Sequence, residues 1–326
     1  GYGYSIASGD FDEDGHADLV LGTPEYTAEV VLGNGDGTFQ AAVAYDISGY
    51  GHSVAVGDFN EDGHEDLAAS TEDYTVDVLL GNGDGTFQPA VVYDIGGYGF
   101  SVCVVDLNED GHQDLATGTD GYEVEVFLGN GDGSFQAPVP YDIADYGYSL
   151  VAGDFDEDGH QDLAAGTVGY TVDVLLGNGD GSLQAAVEYD TGGYVHSLAI
   201  GDFNEDGHED LAAGTDGYEV EIFLGNGDGS LQTAVPYDIG GYGYAAAVAD
   251  VDEDGHEDLV VGTDDSEVEV FPGNGDGTFG ASVHYLVCDY AHSVAIGDFD
   301  EDGHQDLAAG LEDDYLSVFL GDGEGT

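Results

Sequence analysis

Short apolar runs alternate with glycine- and aspartate-rich turns along this chain, and no helical apolar period spans ten residues anywhere. Ser5-Ile-Ala-Ser-Gly9 is a run of small residues suited to a crowded inner strand. Asp18-Leu-Val-Leu-Gly22 reads as a second strand, Pro24 to Thr27 as a turn, and Ala28-Glu-Val-Val-Leu32 as a third strand. A later copy of the third segment, Glu123-Val-Glu-Val-Phe127, alternates with a cleaner period of two. Gly33-Asn-Gly-Asp-Gly37 predicts a hairpin turn, because Asn-Gly and Asp-Gly tolerate positive φ. Phe39 to Ile47 is then a fourth, outer strand, and essentially no helix is expected.

This set recurs every 48 residues, in repeats 1–48, 49–96, 97–144, 145–192, 193–240, 241–288 and a shorter 289–326. Four strands per repeat of about 40–50 residues is the pattern of a propeller blade, and seven lies within the usual four to eight. The expectation is an all-β, seven-bladed β-propeller forming one domain over residues 1–326. A parallel β-helix also stacks Gly/Asp-rich turns, but its repeat is far shorter, about nine residues. The last repeat stops in the hairpin Gly321–Gly325 and so lacks a fourth strand. Simple truncation or disorder at the end is the plainer expectation; otherwise an upstream segment would fill that slot, or a strand from a neighbouring molecule, which would link molecules into a fibre.

Between the first two strands of every repeat lies a nine-residue acidic loop, first seen as Asp10-Phe-Asp-Glu-Asp-Gly-His-Ala-Asp18. Position 1 is Asp10, Asp58, Asp106, Asp154, Asp202, Asp250 and Asp298. Position 3 is Asp12, Asn60, Asn108, Asp156, Asn204, Asp252 and Asp300. Position 5 is Asp14, Asp62, Asp110, Asp158, Asp206, Asp254 and Asp302. Position 9 is Asp18, Asp66, Asp114, Asp162, Asp210, Asp258 and Asp306. Ca²⁺ wants about six to eight oxygens at roughly 2.3–2.6 Å, and alternate positions of a tight loop turn their carboxylates inward. Gly15 at position 6 permits the sharp turn. The position-9 carboxylate would close the shell as a bidentate ligand, giving about seven Ca²⁺ per chain, one per repeat. Mg²⁺ fits less well, since it keeps its waters and demands a strict octahedron.

Position 7 is His16, His64, His112, His160, His208, His256 and His304, expected to offer a backbone carbonyl while the side chain stays exposed. A zinc ring is the weaker reading, because zinc ligands normally cluster at short spacing. An EF-hand would need Glu at position 12 and flanking helices, but Leu21 stands there and strand-like sequence follows.

The 326 residues include no Lys, no Arg and 70 acidic residues, where an ordinary chain would carry about 40 basic ones. Seven divalent ions would offset about a fifth of the formal charge of −70. Nucleic acid and anionic membrane surfaces are poor partners, since both are bound through Lys and Arg. Disorder, the usual outcome for so acidic a chain, is opposed by a hydrophobic content of 41% arranged in periodic strands. No apolar run is long enough for a transmembrane helix, and no secretory signal or N-glycosylation sequon is found. Cys103 and Cys288 lie at different phases of the repeat and are not expected to pair.

Tyr2-Gly3-x-Ser5, the acidic loop and Gly22-Thr23-Pro24 together resemble the FG-GAP repeat of integrin α-subunit propellers. Tyr-Gly stands for Phe-Gly, and Gly-Thr-Pro for Gly-Ala-Pro. The run from Ser5 to Leu19, with the later Val-Val-Leu-Gly-Asn-Gly-Asp-Gly-Thr-Phe-Gln, is closer still to VCBS-type repeats of secreted bacterial proteins. The resemblance covers the whole chain. It implies a seven-bladed propeller with Ca²⁺ in the loops between first and second strands, working outside the cell or at its surface in adhesion, carbohydrate binding or scaffolding. Integrin propellers carry fewer such loops, and here only the first repeat keeps the proline.

Two aromatic series share the repeat's phase. Tyr2, Tyr50, Tyr98, Tyr146, Tyr194, Tyr242 and Tyr290 are followed two residues on by Tyr4, His52, Phe100, Tyr148, His196, Tyr244 and His292. One series is expected to pack between blades, and the other could ring the mouth of the central channel. A further series beginning at Tyr45 and Tyr93 ends the outer strand and reads as packing or edge protection. Catalysis is not expected. Each acidic pair is explained by its loop, seven equal sites are the opposite of one active site, and no G-x-S-x-G motif occurs. The sequence therefore predicts a non-enzymatic structural or adhesive module with a protein or carbohydrate ligand and a route to self-assembly. The runner-up is a lectin-like domain with sugars at the tyrosine-rich rim or between blades.

Overall fold

A computed structural model describes residues 4–312 and 316–323. Gly1, Tyr2, Gly3 and the Gly325 end of the last hairpin lie outside the described residues. In the first sheet β1 (Ser5–Gly9), β2 (Asp18–Thr23), β3 (Thr27–Val31) and β4 (Val43–Asp46) lie side by side in chain order. Each pair is antiparallel, with Ile6 opposite Leu21 and Val20 opposite Val30. Five more sheets repeat this meander, and the seventh has three strands among the described residues, Ala291–Gly297, Asp306–Leu311 and Leu316–Phe319. No helix occurs among the described residues.

The sheets stand in a ring because both faces of each are apolar. Val20 and Val30 of the first blade pack with Leu67, Ala69 and Leu79 of the second. Leu19 and Val31, on the other face, pack with Ala295, Phe299 and Ala308 of the seventh, which closes the circle. The second strands are therefore buried from end to end, as at Asp66–Thr71, and read as continuous apolar runs. The fold is a seven-bladed β-propeller with the first strand of each blade innermost.

Crowding at the centre explains the small residues there. A Cβ on Gly22 would lie 2.7 Å from the carbonyl oxygen of Gly51 in the next blade. Adjacent inner strands are also bonded directly: the amides of Val54 and Val102 each donate to the hydroxyl of the preceding blade's serine, Ser5 and Ser53, at 3.2 Å.

The outer strand is shorter than Phe39–Ile47, running only from Val43 to Asp46. Phe39 instead pairs with Gly33 in an isolated bridge, and Gln40 donates to the carbonyl of Leu32 at 2.8 Å. The link that follows leaves the ladder, and its equivalents contain Pro89 and Pro138, which have no N–H to give. Cys103 and Cys288 are both free thiols, and burial pushes the Cys103 thiol up to about 12.

Candidate metal loops and ligand surfaces

Each acidic loop is a compact turn closed by its own carboxylates. Asp10 accepts the amides of Asp14 and Gly15, both at 3.1 Å, and Asp14 accepts the amide of His16 at 3.0 Å. Position 6 has φ between 88° and 94° in all seven loops, a conformation that selects glycine. Position 4, always Glu, is also left-handed at 54° to 59°, which costs a side-chain-bearing residue of order 1 kcal/mol or more.

Position 9 plays a part the sequence reading missed. Asp18 is fully buried, and its two oxygens accept the amides of Phe11 at 2.8 Å and Gly33 at 2.7 Å. The same pair of bonds recurs at Asp66, Asp162 and Asp306. The residue thus ties the start of the loop to the start of the hairpin. The amide bonds add to the ligand role expected of it: each oxygen gives one lone pair to an amide and keeps one free to face a cation. Burial, partly offset by those amides, pushes Asp18, Asp66, Asp114, Asp162 and Asp210 up to about 6.

The donor set fits a hard cation. Carboxylate oxygens of Asp10, Asp12 and Asp18 lie within 4.8 Å of one another, as do those of Asp154, Asp156 and Asp162. In blades 6 and 7 positions 1, 3 and 5 converge in the same way. One buried oxygen each of Asp12, Asp106, Asp154 and Asp250 has no hydrogen-bond partner. A buried, unbonded carboxylate oxygen is costly unless a cation faces it. Burial, with Asp14 next in effect, also raises Asp12, and burial raises Asp156. The second, third and fifth loops carry a neutral amide at position 3, hence one carboxylate fewer.

The position-7 histidines are not free. His64 Nδ1 pairs with Glu13, His112 with Glu61, and so on round the ring to His16 with Glu301. All seven position-4 glutamates are used, each by the histidine of the following blade. The hydrogen bond to glutamate raises each histidine above its ordinary value. Beside this contact, the hairpin of the following blade donates to the same loop: Gly85 N to Phe11 O at 2.8 Å, Gly133 N to Phe59 O at 2.9 Å, and Gly37 N to Phe299 O at 3.0 Å. Position 8 adds a third tie, since Glu65 accepts the amide of Asp10 at 2.7 Å, and Glu257 that of Asp202 at 2.7 Å. None of these contacts is visible in sequence, because the partners sit 51 to 74 residues apart, or more than 260 at the closing joint, and meet only when the ring forms.

The aromatic series separate cleanly. Tyr4, His52, Phe100, Tyr148, His196, Tyr244 and His292 form a closed collar, with neighbouring ring centroids 4.7 to 5.9 Å apart. They line an axial cavity of about 400 Å³ together with Ser53, Ser101 and Ser149. Burial lowers His196 and His292, and the Nδ1 of His196 has no partner. The Tyr50 series sits outside this collar and pairs with tyrosines of the preceding blade's turn. Tyr26 meets Tyr50 at 5.0 Å, Tyr74 meets Tyr98 at 4.7 Å, and Tyr170 meets Tyr194 at 4.8 Å. These pairs are exposed, Tyr74 by 47% and Tyr98 by 38%. The Tyr45 series packs between blades: Tyr45 lies 5.3 Å from Phe87, and its hydroxyl donates to Gly85 O at 3.2 Å.

A buried acid in the third strand was also missed. Glu125 is 4% exposed and accepts the amide of Gly96 at 2.5 Å, while Asp77 accepts that of Ser48 at 2.6 Å. The linker entering each blade from the one before covers these side chains.

A family model described as FG-GAP-like repeat matches residues 10–69, 58–117, 106–165, 154–213, 202–261 and 250–309. No curated protein sequence matches the chain. Among solved structures, BBS1N in a complex with ARL6DN, from a crystal soaked with mercury, is similar at a TM-score of 0.71 and 11% identity, over 98% of this chain and 92% of that one. A lectin from Agrocybe aegerita that recognises non-reducing terminal N-acetylglucosamine is similar at a TM-score of 0.62 and 21% identity, over 98% and 85%. At these identities the likeness is one of fold.

Proposed function

Since the chain belongs to the FG-GAP-like repeat family, we propose that it is a non-enzymatic, Ca²⁺-binding propeller that acts outside the cell or at its surface as a structural or adhesive module. The observation that carries this reading is the set of buried carboxylate oxygens without partners, at Asp12, Asp106, Asp154 and Asp250, three of them (Asp12, Asp154 and Asp250) in loops whose oxygens converge. Hard cations are held by such oxygen sets. When bound, Ca²⁺ would supply positive charge where the loop concentrates negative charge. Asp10, Asp12, Asp14, Asp18 and their equivalents would hold it with the position-7 carbonyl, Asp18 also bracing the loop through its two amide bonds. In a chain without Lys or Arg, such ions would be the main counter-charge, and a Ca²⁺-rich exterior would suit it.

The ligand surface we favour is the tyrosine face, and the partner is a protein or a carbohydrate. Exposed tyrosine pairs such as Tyr74 with Tyr98 present flat apolar rings with polar tips, the kind of surface enriched at binding interfaces. The carbohydrate version is the second reading, favoured by those pairs lying beside carboxylates: Asp120 accepts the amide of Tyr98 at 2.8 Å. For self-assembly we propose the outer edge of Leu316–Phe319, which pairs with no fourth strand among the described residues.

Thermal unfolding in Ca²⁺ and in chelator, with electron microscopy of both samples, tests the reading. Filaments that vanish with the metal would favour the structural role. A Ca²⁺-stabilised monomer that retains glycans on an array would favour the lectin. Melting that ignores chelation would remove the Ca²⁺ claim altogether.

A further inference from the structure

Blade 6 carries a constellation that no other blade has. On its third strand (Glu267–Phe271), Glu267 and Glu269 lie two residues apart on one face. On its fourth (Val283–Leu286), His284 stands directly opposite Glu269. The imidazole Nδ1 lies 2.7 Å from Glu267 Oε2 and 3.8 Å from Glu269 Oε2, and all three donor atoms lie within 4.8 Å of one another. The hydroxyl of Ser282 donates to Glu269 Oε2 at 3.0 Å and lies 3.3 Å from His284 Nε2.

We infer that Glu267, Glu269 and His284 form a site for a borderline divalent cation of the Zn²⁺ class, separate from the acidic loops. Ligands held at about 2.0–2.2 Å in a tetrahedron are about 3.3–3.6 Å apart, and the two imidazole-to-carboxylate distances straddle that value. Two carboxylates and one imidazole are a donor set that Zn²⁺ accepts and that Ca²⁺ does not prefer. The burial is graded as an open site requires. The Glu269 side chain is 1% exposed, Glu267 22% and His284 48%, so the buried end is fixed and the imidazole end faces water. Glu269 is held in place from below, where its other oxygen accepts the amide of Gly240 at 2.7 Å.

Comparison within the chain sharpens the point. Blades 3 and 5 have the same carboxylate pairs, Glu123 with Glu125 and Glu219 with Glu221, but Pro140 and Pro236 face them. At the position of Ser282 the other complete repeats have only alanine or proline. In an otherwise near-periodic chain, both departures in blade 6 bring a polar group onto this carboxylate pair, Ser282 bonding Glu269 and His284 bonding Glu267. The loop histidines differ in pairing with one glutamate from another blade's loop, whereas His284 faces two glutamates of its own sheet.

The test uses the full chain in saturating Ca²⁺, which fills oxygen-only sites, titrated with Zn²⁺ by calorimetry and with Co²⁺ by visible absorption. One tight equivalent per chain is expected, with the Co²⁺ bands of a nitrogen-containing site. His284→Ala, on an exposed outer strand, should melt unchanged in Ca²⁺ and weaken that equivalent by more than the roughly 10–100-fold that loss of an outer-shell partner costs. Glu267→Gln should weaken it as well, which guards against a folding defect in one variant. Unchanged stoichiometry and affinity in His284→Ala would overturn the inference. So would Zn²⁺ uptake that disappears in His160→Ala instead, or no tight uptake in Ca²⁺.

Discussion

The amide of Gly85 donates to the carbonyl of Phe11 across 2.8 Å, so the hairpin of the second blade is fastened to the acidic loop of the first. With Glu13 and His64 meeting beside it, each candidate metal loop is a component of a blade boundary and not a surface ornament. Whatever a cation does to one loop is felt by two blades.

Chelation should therefore lower the melting temperature of the whole ring in one cooperative step. Binding to the folded state alone stabilises by about 2.7 kcal/mol per site at 100-fold excess over Kd, so several sites would rival an ordinary domain's total stability. Asp154→Ala should remove about one site's worth, read as a smaller Ca²⁺-dependent gain in denaturant midpoint. An unaltered gain would exclude that loop as a site.

Without metal, stability should rise on acidification from pH 7.5 to 5. Burial pushes Asp18, Asp66, Asp114, Asp162 and Asp210 up to about 6 in the fold against about 3.9 unfolded, so the fold binds their protons more tightly. Their ionisation penalises the fold progressively as pH climbs from about 4 to 6 and fully above that. The loop histidines act in the same sense: their folded values are raised, so their contribution is present below about 6.5 and lost as pH rises through the folded value. Asp36 and Asp132, lowered chiefly by hydrogen bonds from Thr38 and Ser134, oppose this only below their ordinary range. Melts in chelator at the two pH values check the sign, and a higher melting point at pH 7.5 would contradict it. Added Ca²⁺ should reverse the trend, because protons compete for the same oxygens.

Two glycines separate conformational cost from steric cost. Gly63 has φ of 89°, and a Cβ added there would meet nothing within 4 Å, so Gly63→Ala should cost about 1 kcal/mol. At Gly81 a Cβ would come 2.1 Å from the carbonyl oxygen of Glu65, and relief requires backbone movement. Gly81→Ala should cost distinctly more. Denaturant midpoints of the pair rank them.

Tyrosines five residues apart should behave oppositely. Tyr93 packs on Phe135 at 5.7 Å and its hydroxyl accepts the Phe135 amide at 3.2 Å, so Tyr93→Ala should cost about 3 kcal/mol. Tyr98→Ala, at an exposed pair, should stay within about 0.5 kcal/mol of the parent and instead weaken ligand binding on that face. Equal stability losses would place Tyr98 in the core architecture and away from recognition.

Strands, hairpins and loops were legible because each is written within a dozen residues. Val20 and Leu21 announce a strand by composition, and Gly33 to Gly37 a turn by conformational need. What escaped was decided between repeats. His64 looked exposed because nothing near it in sequence explains it, and its partner Glu13 arrives from the previous blade. Glu125 carries no local sign of burial, because the amide of Gly96 that it accepts comes from the linker 29 residues earlier. Asp18 looked like a metal ligand alone, whereas much of its chemistry is directed at Phe11 and Gly33. The outer strand was overread because Phe39 is apolar in the right phase, but its ring is spent on Phe299.

The junction of the seventh blade with the first repeats two fastenings of the others, Gly37 to Phe299 and His16 to Glu301. The third tie is absent from this joint, since position 8 of the first loop is Ala17 where Glu65 and Glu257 accept an amide at two other joints. Pulling on the ring would load seven joints of unequal strength, and the one that closes the circle is among the lightest.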